Sequence, residues 1–280
     1  MSLLGQSYYG LCGTRPGHSM VRHVVSALRG MGLLRGFKMP LDALALDHDA
    51  VSGLAKLWSR IHWSSGDGMM PPEQLLEMYR LAIDWPVEGD IVELGSWVGL
   101  TTSYLATACR VRGRGRVFAV DTFEGTMEGN THYASITNFD GSTLGAFKSR
   151  IQQAGVDDLV DPMIGLTTEM ASQYRGDPIR LLLIDADHSY EGVRDDFRLW
   201  SPLVAPGGLI VFHDYLAFPE AVGRFVDEQV SREATIDMTP GHVVGNVMAV
   251  TARSLIPRAS SVTTSDNTPA IRVNPEKVIA

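Results

Sequence analysis

RLLLIDADHSYEGVRDDFRLWSPLVAPGGLIVFHDY, from Arg180 to Tyr215, decides how this chain folds. Two apolar runs, Leu181–Ile184 and Leu209–Phe212, stop abruptly at ionisable residues. Runs of that length between turn signals read as strands buried on both faces, as in a parallel sheet. Tyr190 to Val204 supplies the crossover helix, and Ala205–Pro206–Gly207–Gly208 the turn back into the second strand. Asp185, Asp187 and His188 therefore follow one strand, and His213 and Asp214 the next. The carboxyl ends of neighbouring parallel strands are where open α/β sheets bind ligands.

Outward from this segment, strand and helix alternate. Asp90–Leu94, Arg116–Val120 and Asp161–Ile164 read as strands. Helices are expected from Pro71 to about Ile83, after Gly99 to about Cys109, over Ser142–Ala154, near Glu169–Tyr174 and over Pro219–Glu233. Ala234–Met238 and Gly245–Thr251 read as a closing strand pair joined through Pro240–Gly241. Such alternation implies a parallel sheet with right-handed crossovers and helices on both faces. Asp195 and Asp196 are read as the solvated face of the crossover helix. Phe123–Asp140 is a long polar segment, read as an active-site loop, in which His132 and Tyr133 could meet substrate.

The 280 residues are expected to divide into a helical, substrate-covering cap over 1–67, a main domain over 68–253 and a tail over 254–280 rich in Ser, Thr, Pro and Asn. A net charge of −8 argues against a broad surface for nucleic acid. The basic run Arg110–Arg116 (RVRGRGR) reads as a solvated helix-to-strand turn. Two cysteines, Cys12 and Cys109, are too few for a disulfide framework and fit a reducing, cytoplasmic setting. No apolar run is long enough for a membrane span. Val21–Phe37 is amphipathic and reads as a helix packed on the main domain; the N-terminal helices offer apolar surface for a homodimer.

IVELGSWVGLTT, Ile91 to Thr102, runs from a buried strand into a helix. Gly95 permits a sharp turn with close approach to a ligand, and Gly99 close helix packing. The turn lacks the Lys–Ser/Thr pair of a P-loop, and Trp97 breaks the dinucleotide G-x-G-x-x-G pattern. Asp121 ends the second strand, 22 residues past Gly99, where a carboxylate can accept hydrogen bonds from both hydroxyls of a ribose. Phe123 could lie against an adenine, and Glu93 could hold a cationic amino group.

Taken in order, acid-x-Gly-x-x-x-Gly, the second-strand Asp, D-x-D-H and P-G-G-L-I-V-F-H-D resemble the class I S-adenosylmethionine-dependent methyltransferases over roughly residues 68–252. Within these the chain is most similar to the small-molecule O-methyltransferases, of the catechol and caffeoyl-coenzyme A types and the macrolide-sugar and cephalosporin-tailoring branch. The resemblance implies a doubly wound, mostly parallel Rossmann-like sheet of seven strands, the last antiparallel, with an N-terminal helical cap. It implies S-adenosylmethionine as cofactor and a small hydroxylated acceptor, with a sugar or glycosylated metabolite favoured.

By the same resemblance the block GMMPPEQLLEMYRLA, with Met70, closes over the cofactor. Glu93, Gly95, Ser96, Gly99 and Thr101 would line its methionine part, and Asp121 its ribose, with Thr122 and Phe123 beside it. Leu166–Thr168, Thr167 among them, would edge the adenine, and Asp185 would face both cofactor and acceptor. His188, three residues after Asp185, stands where the relatives carry a Lys or His base. The metal ligands would be Asp185, His213 and Asp214, holding Mg2+ or, with an imidazole ligand, Mn2+ or iron. The catechol type has Asp–Asn at the last pair and the macrolide-sugar type Glu–Asp, so His213 departs from both. A nucleotide-binding oxidoreductase and a catalytically silent cofactor-binding module are the competing readings. The missing third glycine weighs against the first, and the double cluster of acids and histidines against the second.

Overall fold

The computed structural model describes residues 47–61, 70–125, 136–231, 238–244 and 247–252. The expectations for Val21–Phe37, His132, Tyr133 and the tail fall outside those residues. The chain divides into two compact units.

Among the described residues the first unit holds four helices: α1 (His48–Arg60), α2 (Pro72–Asp84), α3 (Leu100–Arg112) and α4 (Leu144–Ala154). Asp47 caps α1 by accepting from the Ala50 amide at 2.9 Å. Arg112 draws three helices together, donating to Asp47 at 2.9 Å and to the Ile83 carbonyl of α2 at 3.1 Å. Gly99 (φ 76°) starts α3 in a left-handed conformation, and a Cβ there would meet the Phe147 ring at 2.8 Å. The packing reason for this glycine is therefore present.

The second unit carries the sheet: β1 (Asp90–Leu94), β2 (Val117–Asp121), β3 (Val160–Ile164), β4 (Ile179–Ile184), β5 (Val204–Phe212), β6 (Met238–Val244) and β7 (Val247–Ala252). Its order is β3-β2-β1-β4-β5-β7-β6. Strands β2, β1, β4 and β5 run parallel, and β7 is antiparallel to β5 and β6. The sheet has the expected seven strands with the last antiparallel, but β6 shares only Met238 with the expected Ala234–Met238 and runs on to Val244. Every residue of β1 and β4 is buried, which is what their near-continuous apolar character required. The short helix α5 (Thr167–Met170), the crossover α6 (Tyr190–Trp200) and α7 (Arg224–Ser231) complete the unit. Trp200, Phe197, Phe212 and Phe225 pack with Val92 and Leu182 in its core. Each such side chain contributes roughly 1.5–3 kcal/mol by leaving water.

Four local expectations are corrected. First, α6 ends at Trp200, and Ala205–Gly208 lies within β5 instead of forming a separate turn. The pairing jumps from Ile179↔Val204 to Leu181↔Leu209, so the Pro–Gly–Gly segment is accommodated as a bulge. Second, Pro240–Gly241 sits inside β6 at the sheet edge, where a missing amide donor is tolerated. Third, Asp196 is 1% exposed, although the sequence placed it on a solvated face. Fourth, the run Arg110–Arg116 is not simply solvated. Arg110 pairs with Asp158, Arg112 with Asp47, Arg114 with Glu88 and Arg116 with Asp161. Among the described residues no helix is long and apolar enough to cross a membrane.

Candidate active site

A line of backbone bonds sets the strand ends side by side. The Gly95 amide donates to the Val120 carbonyl at 2.9 Å, Asp185 to Leu94 at 2.9 Å and His213 to Ile184 at 3.1 Å. The residues following β1, β4 and β5 thus emerge along one rim, and the strand order reverses at β1 and β4. Gly95 (φ 87°) is required there, because a Cβ would lie 2.1 Å from the Asp185 carbonyl oxygen.

Two carboxylates and two imidazoles converge at the β4 and β5 ends. His188 Nε2 lies 3.0 Å from Asp214 Oδ2 and 3.5 Å from Asp185 Oδ1. His213 Nδ1 lies 2.9 Å from Asp185 Oδ1 and 3.3 Å from Asp214 Oδ2. Burial opposes charge on the His188 ring, but hydrogen bonding to Asp185 and Asp214 overrides it and pushes the pKa up to about 10. His213 behaves alike: burial lowers its pKa, yet the charge of Asp185 and bonding to both acids carry it up to about 10. Burial raises the Asp214 pKa, but the two imidazoles hold it well below the usual carboxylate range. Two negative and two positive groups leave the cluster neutral. Asp214 itself has φ 57°, an uncommon left-handed conformation at the turn out of β5.

That turn brings Phe218 back over the site. Its amide donates to the Asp214 carbonyl at 3.0 Å, and its ring stacks on His188, centroids 4.9 Å apart and planes 6° from parallel. Phe218 and Leu216 are exposed apolar residues beside the cluster. Nothing in the sequence pattern singled them out. Asp185, His188 and Asp214 each offer one ligand atom within 4.8 Å of the others, a set able to hold a metal ion. The geometry therefore adds His188 to the two expected acids, while His213 reaches the same carboxylates through Nδ1.

At the β1 and β2 ends, Glu93 and Ser96 are buried, and Ser96 Oγ has no hydrogen-bond partner among the described residues. Asp121 accepts from the amides of Trp97 at 2.7 Å and Phe123 at 2.6 Å. The Phe123 side chain is fully buried. Thr122 Oγ1 accepts from the Glu124 amide at 3.3 Å. Beyond β3, Ile164 and Leu166 present exposed apolar side chains next to Thr167. In the first unit, Met70 and Thr101 are both buried, Thr101 Oγ1 lying 3.8 Å from Met70 Sδ.

Thr167 also explains why Asp196 turns inward. The Thr167 hydroxyl donates to Asp196 Oδ1, and the Trp200 indole donates to the Thr167 carbonyl at 3.0 Å. Burial pushes the Asp196 pKa up to about 7, with the charges of Asp187 and Asp195 adding to it against the Thr167 bond. A folded pKa above the unfolded value of about 4 means that the folded state binds the proton more tightly. The stabilisation is complete below about pH 4 and is lost as pH rises to about 7. Asp196→Asn, which stays neutral throughout, is expected to melt several degrees above wild type at pH 8 and close to it at pH 4. Parallel melting curves across that range would show that Asp196 is not the titrating group.

Comparison with known proteins bears on the fold and on the domain. Residues 92–215 match a family model described as a methyltransferase domain. The O-methyltransferase NovP superposes with a TM-score of 0.55 at 18% identity, over 67% of this chain and 83% of its own. A protein from Corynebacterium glutamicum gives a TM-score of 0.50 at 13% identity, over 82% of this chain and 98% of its own. The O-methyltransferase from Bacillus cereus in complex with SAH gives 0.48 at 19% identity, over 74% and 91%. Likeness at such identities speaks to the fold, and the matched family to the domain. The protein thus carries a methyltransferase domain over residues 92–215, on a Rossmann-like fold that it shares with NovP.

Proposed function

We propose that the protein transfers a methyl group from S-adenosylmethionine to a hydroxyl of a small acceptor, with a sugar or glycosylated metabolite as the favoured class. The observation that carries this is the Asp185–His188–His213–Asp214 cluster at the strand ends beside the turn after β1. The partnerless, buried Ser96 Oγ beside Gly95 fits a polar group of a bound cofactor. Glu93 would meet the cofactor's amino group, Asp121 its ribose, and Thr122 and Thr167 its adenine side, whereas Phe123, expected there too, is fully buried and has no surface to offer the adenine. When bound, the cofactor supplies a sulfonium methyl open to in-line attack by the acceptor oxygen.

The chain's own task is to orient that oxygen and take its proton. We assign the proton to His188, since its ring is the more accessible imidazole, 13% exposed against 7% for His213. Phe218 would hold the ring plane, and with Leu216 offer the acceptor an apolar wall. With both rings protonated the cluster contains no base. Two carboxylates with an imidazole form a donor set that fits a divalent ion, Mn2+ better than Mg2+. Asp185 and Asp214 would hold it with His213 Nδ1, which faces the same carboxylates, as the imidazole ligand in place of His188, so that His188 keeps the proton-accepting role; the ion would lower the acceptor's pKa. His188 could then stay neutral, because imidazolium protons would no longer be needed to balance the acids.

S-Adenosylmethionine and its demethylated product, at about 100 times their Kd, are expected to raise Tm by roughly 5–10 °C, while NAD and NADP do not. The opposite ranking would sink the transferase reading. Exhaustive chelation is expected to stop transfer and Mn2+ to restore it; full activity in chelator would remove the metal, and with it His188 as a neutral base, and leave the cofactor reading standing.

A further inference from the structure

The turn after β1 and the turn after β2 are each built on a bulky residue in a conformation that suits glycine. Trp97 has φ 48° and Phe123 φ 58°. For aromatic residues this is a genuine outlier, costing free energy that surrounding structure must supply, and such strain gathers at functional sites. Both residues lead to one side chain. Asp121 accepts from the Trp97 amide through Oδ2 at 2.7 Å and from the Phe123 amide through Oδ1 at 2.6 Å. The two short bonds are charge-assisted, and each oxygen is committed to a different turn.

The turns are tied further outward. The Phe123 carbonyl accepts from the Thr143 amide at 2.9 Å. The Trp97 indole meets the Phe139 ring edge-on, centroids 5.8 Å apart. Phe139 belongs to the short helical turn Thr137–Phe139, inside the segment expected to border the acceptor. One carboxylate therefore holds two strained turns, and the ring of one of them rests on a third piece of chain.

We propose that Asp121 is a positioning residue, a two-point clamp whose oxygens keep Trp97 and Phe123 in left-handed conformations and so give the cofactor turn its binding shape. The clamp rests on the reading that S-adenosylmethionine binds at this turn, and it is a role distinct from a contact with the ribose. A carboxylate serving the ribose alone would act on the ligand directly. The clamp acts through the backbone, so its value depends on the residue at 97 and 123 needing restraint.

That dependence is measurable. Asp121→Asn keeps a polar group for the ribose but can accept from only one of the two amides through its oxygen. Cofactor Kd is measured by calorimetry, well below each variant's Tm, for wild type, D121N, W97G and the double variant. D121N is expected to weaken binding about tenfold in the wild-type background and less than about threefold in the W97G background, where glycine adopts φ > 0 without restraint. If D121N alone lacks a cooperative melt, D121N/W97G is expected to return one; failure to do so overturns the clamp. Equal losses in every background make Asp121 a direct ligand contact and overturn it as well. Absence of any binding by wild type is the distinct result that removes the cofactor reading, and the clamp with it.

Discussion

His188→Ala is expected to lower kcat/KM for methyl transfer by at least about 100-fold while leaving S-adenosylmethionine Kd within about twofold, the range general-base loss produces. Nε2 of His188 faces both acids, at 3.0 Å from Asp214 and 3.5 Å from Asp185. Phe218 stacks on the ring at 4.9 Å, so the substitution removes a positioned proton acceptor and leaves an apolar gap beside it. Cofactor affinity should survive, because the proposed ribose and amino-group contacts lie at the ends of β1 and β2. Turnover at the wild-type rate would take His188 out of the chemistry. A loss of Kd in step with turnover would instead make it part of the cofactor site.

Gly95→Ala carries the largest expected effect on stability. The residue has φ 87°, and an added Cβ would lie 2.1 Å from the Asp185 carbonyl oxygen and 2.9 Å from the Ala186 Cα. These are backbone atoms that cannot swing aside, so strand ends β1 and β4 must part. The left-handed strain and the overpacking together cost on the order of 3 kcal/mol, a fall of roughly 6–12 °C in Tm. Gly113→Ala is the control: its φ is 64°, and nothing lies within 4 Å of the added methyl. It pays the conformational cost alone, about 1 kcal/mol. Equal losses at the two positions would refute the argument from close approach. Gly95→Ala should also depress activity, since the carbonyl it displaces belongs to Asp185.

How much of this was legible beforehand depends on whether the signal was local. The ends of β1 agree with the sequence to the residue, and Val117–Asp121 and Val160–Ile164 to within one. Burial on both faces leaves a continuous apolar run, and charged or glycine residues punctuate it. Asp121, Asp185, His188 and Asp214 were legible for the same reason: each interrupts or follows such a run. The bulge at Ala205–Gly208 was not, because Pro–Gly–Gly has the same chemistry in a turn and in a bulge. Only the pairing of Ile179 with Val204 distinguishes them. Asp196 misled for a related reason. Asp195 and Asp196 are adjacent acids on one helix, yet successive helical residues point about 100° apart. Which of them meets Thr167 is settled by α5, not by α6.

The sequence by itself therefore determined the elements, the sheet class and which acids and histidines stand at strand ends, since these follow from periodicity along the chain. Tertiary structure alone decided the partners. It set both imidazoles between Asp185 and Asp214, folded Phe218 onto His188 and turned Asp196 inward. It also gave both oxygens of Asp121 to the amides of Trp97 and Phe123. Distances between residues far apart in the chain depend on strand order and register, which no local pattern records. The charge state of a buried group depends on those distances, so the site's chemistry appears only once the sheet has closed.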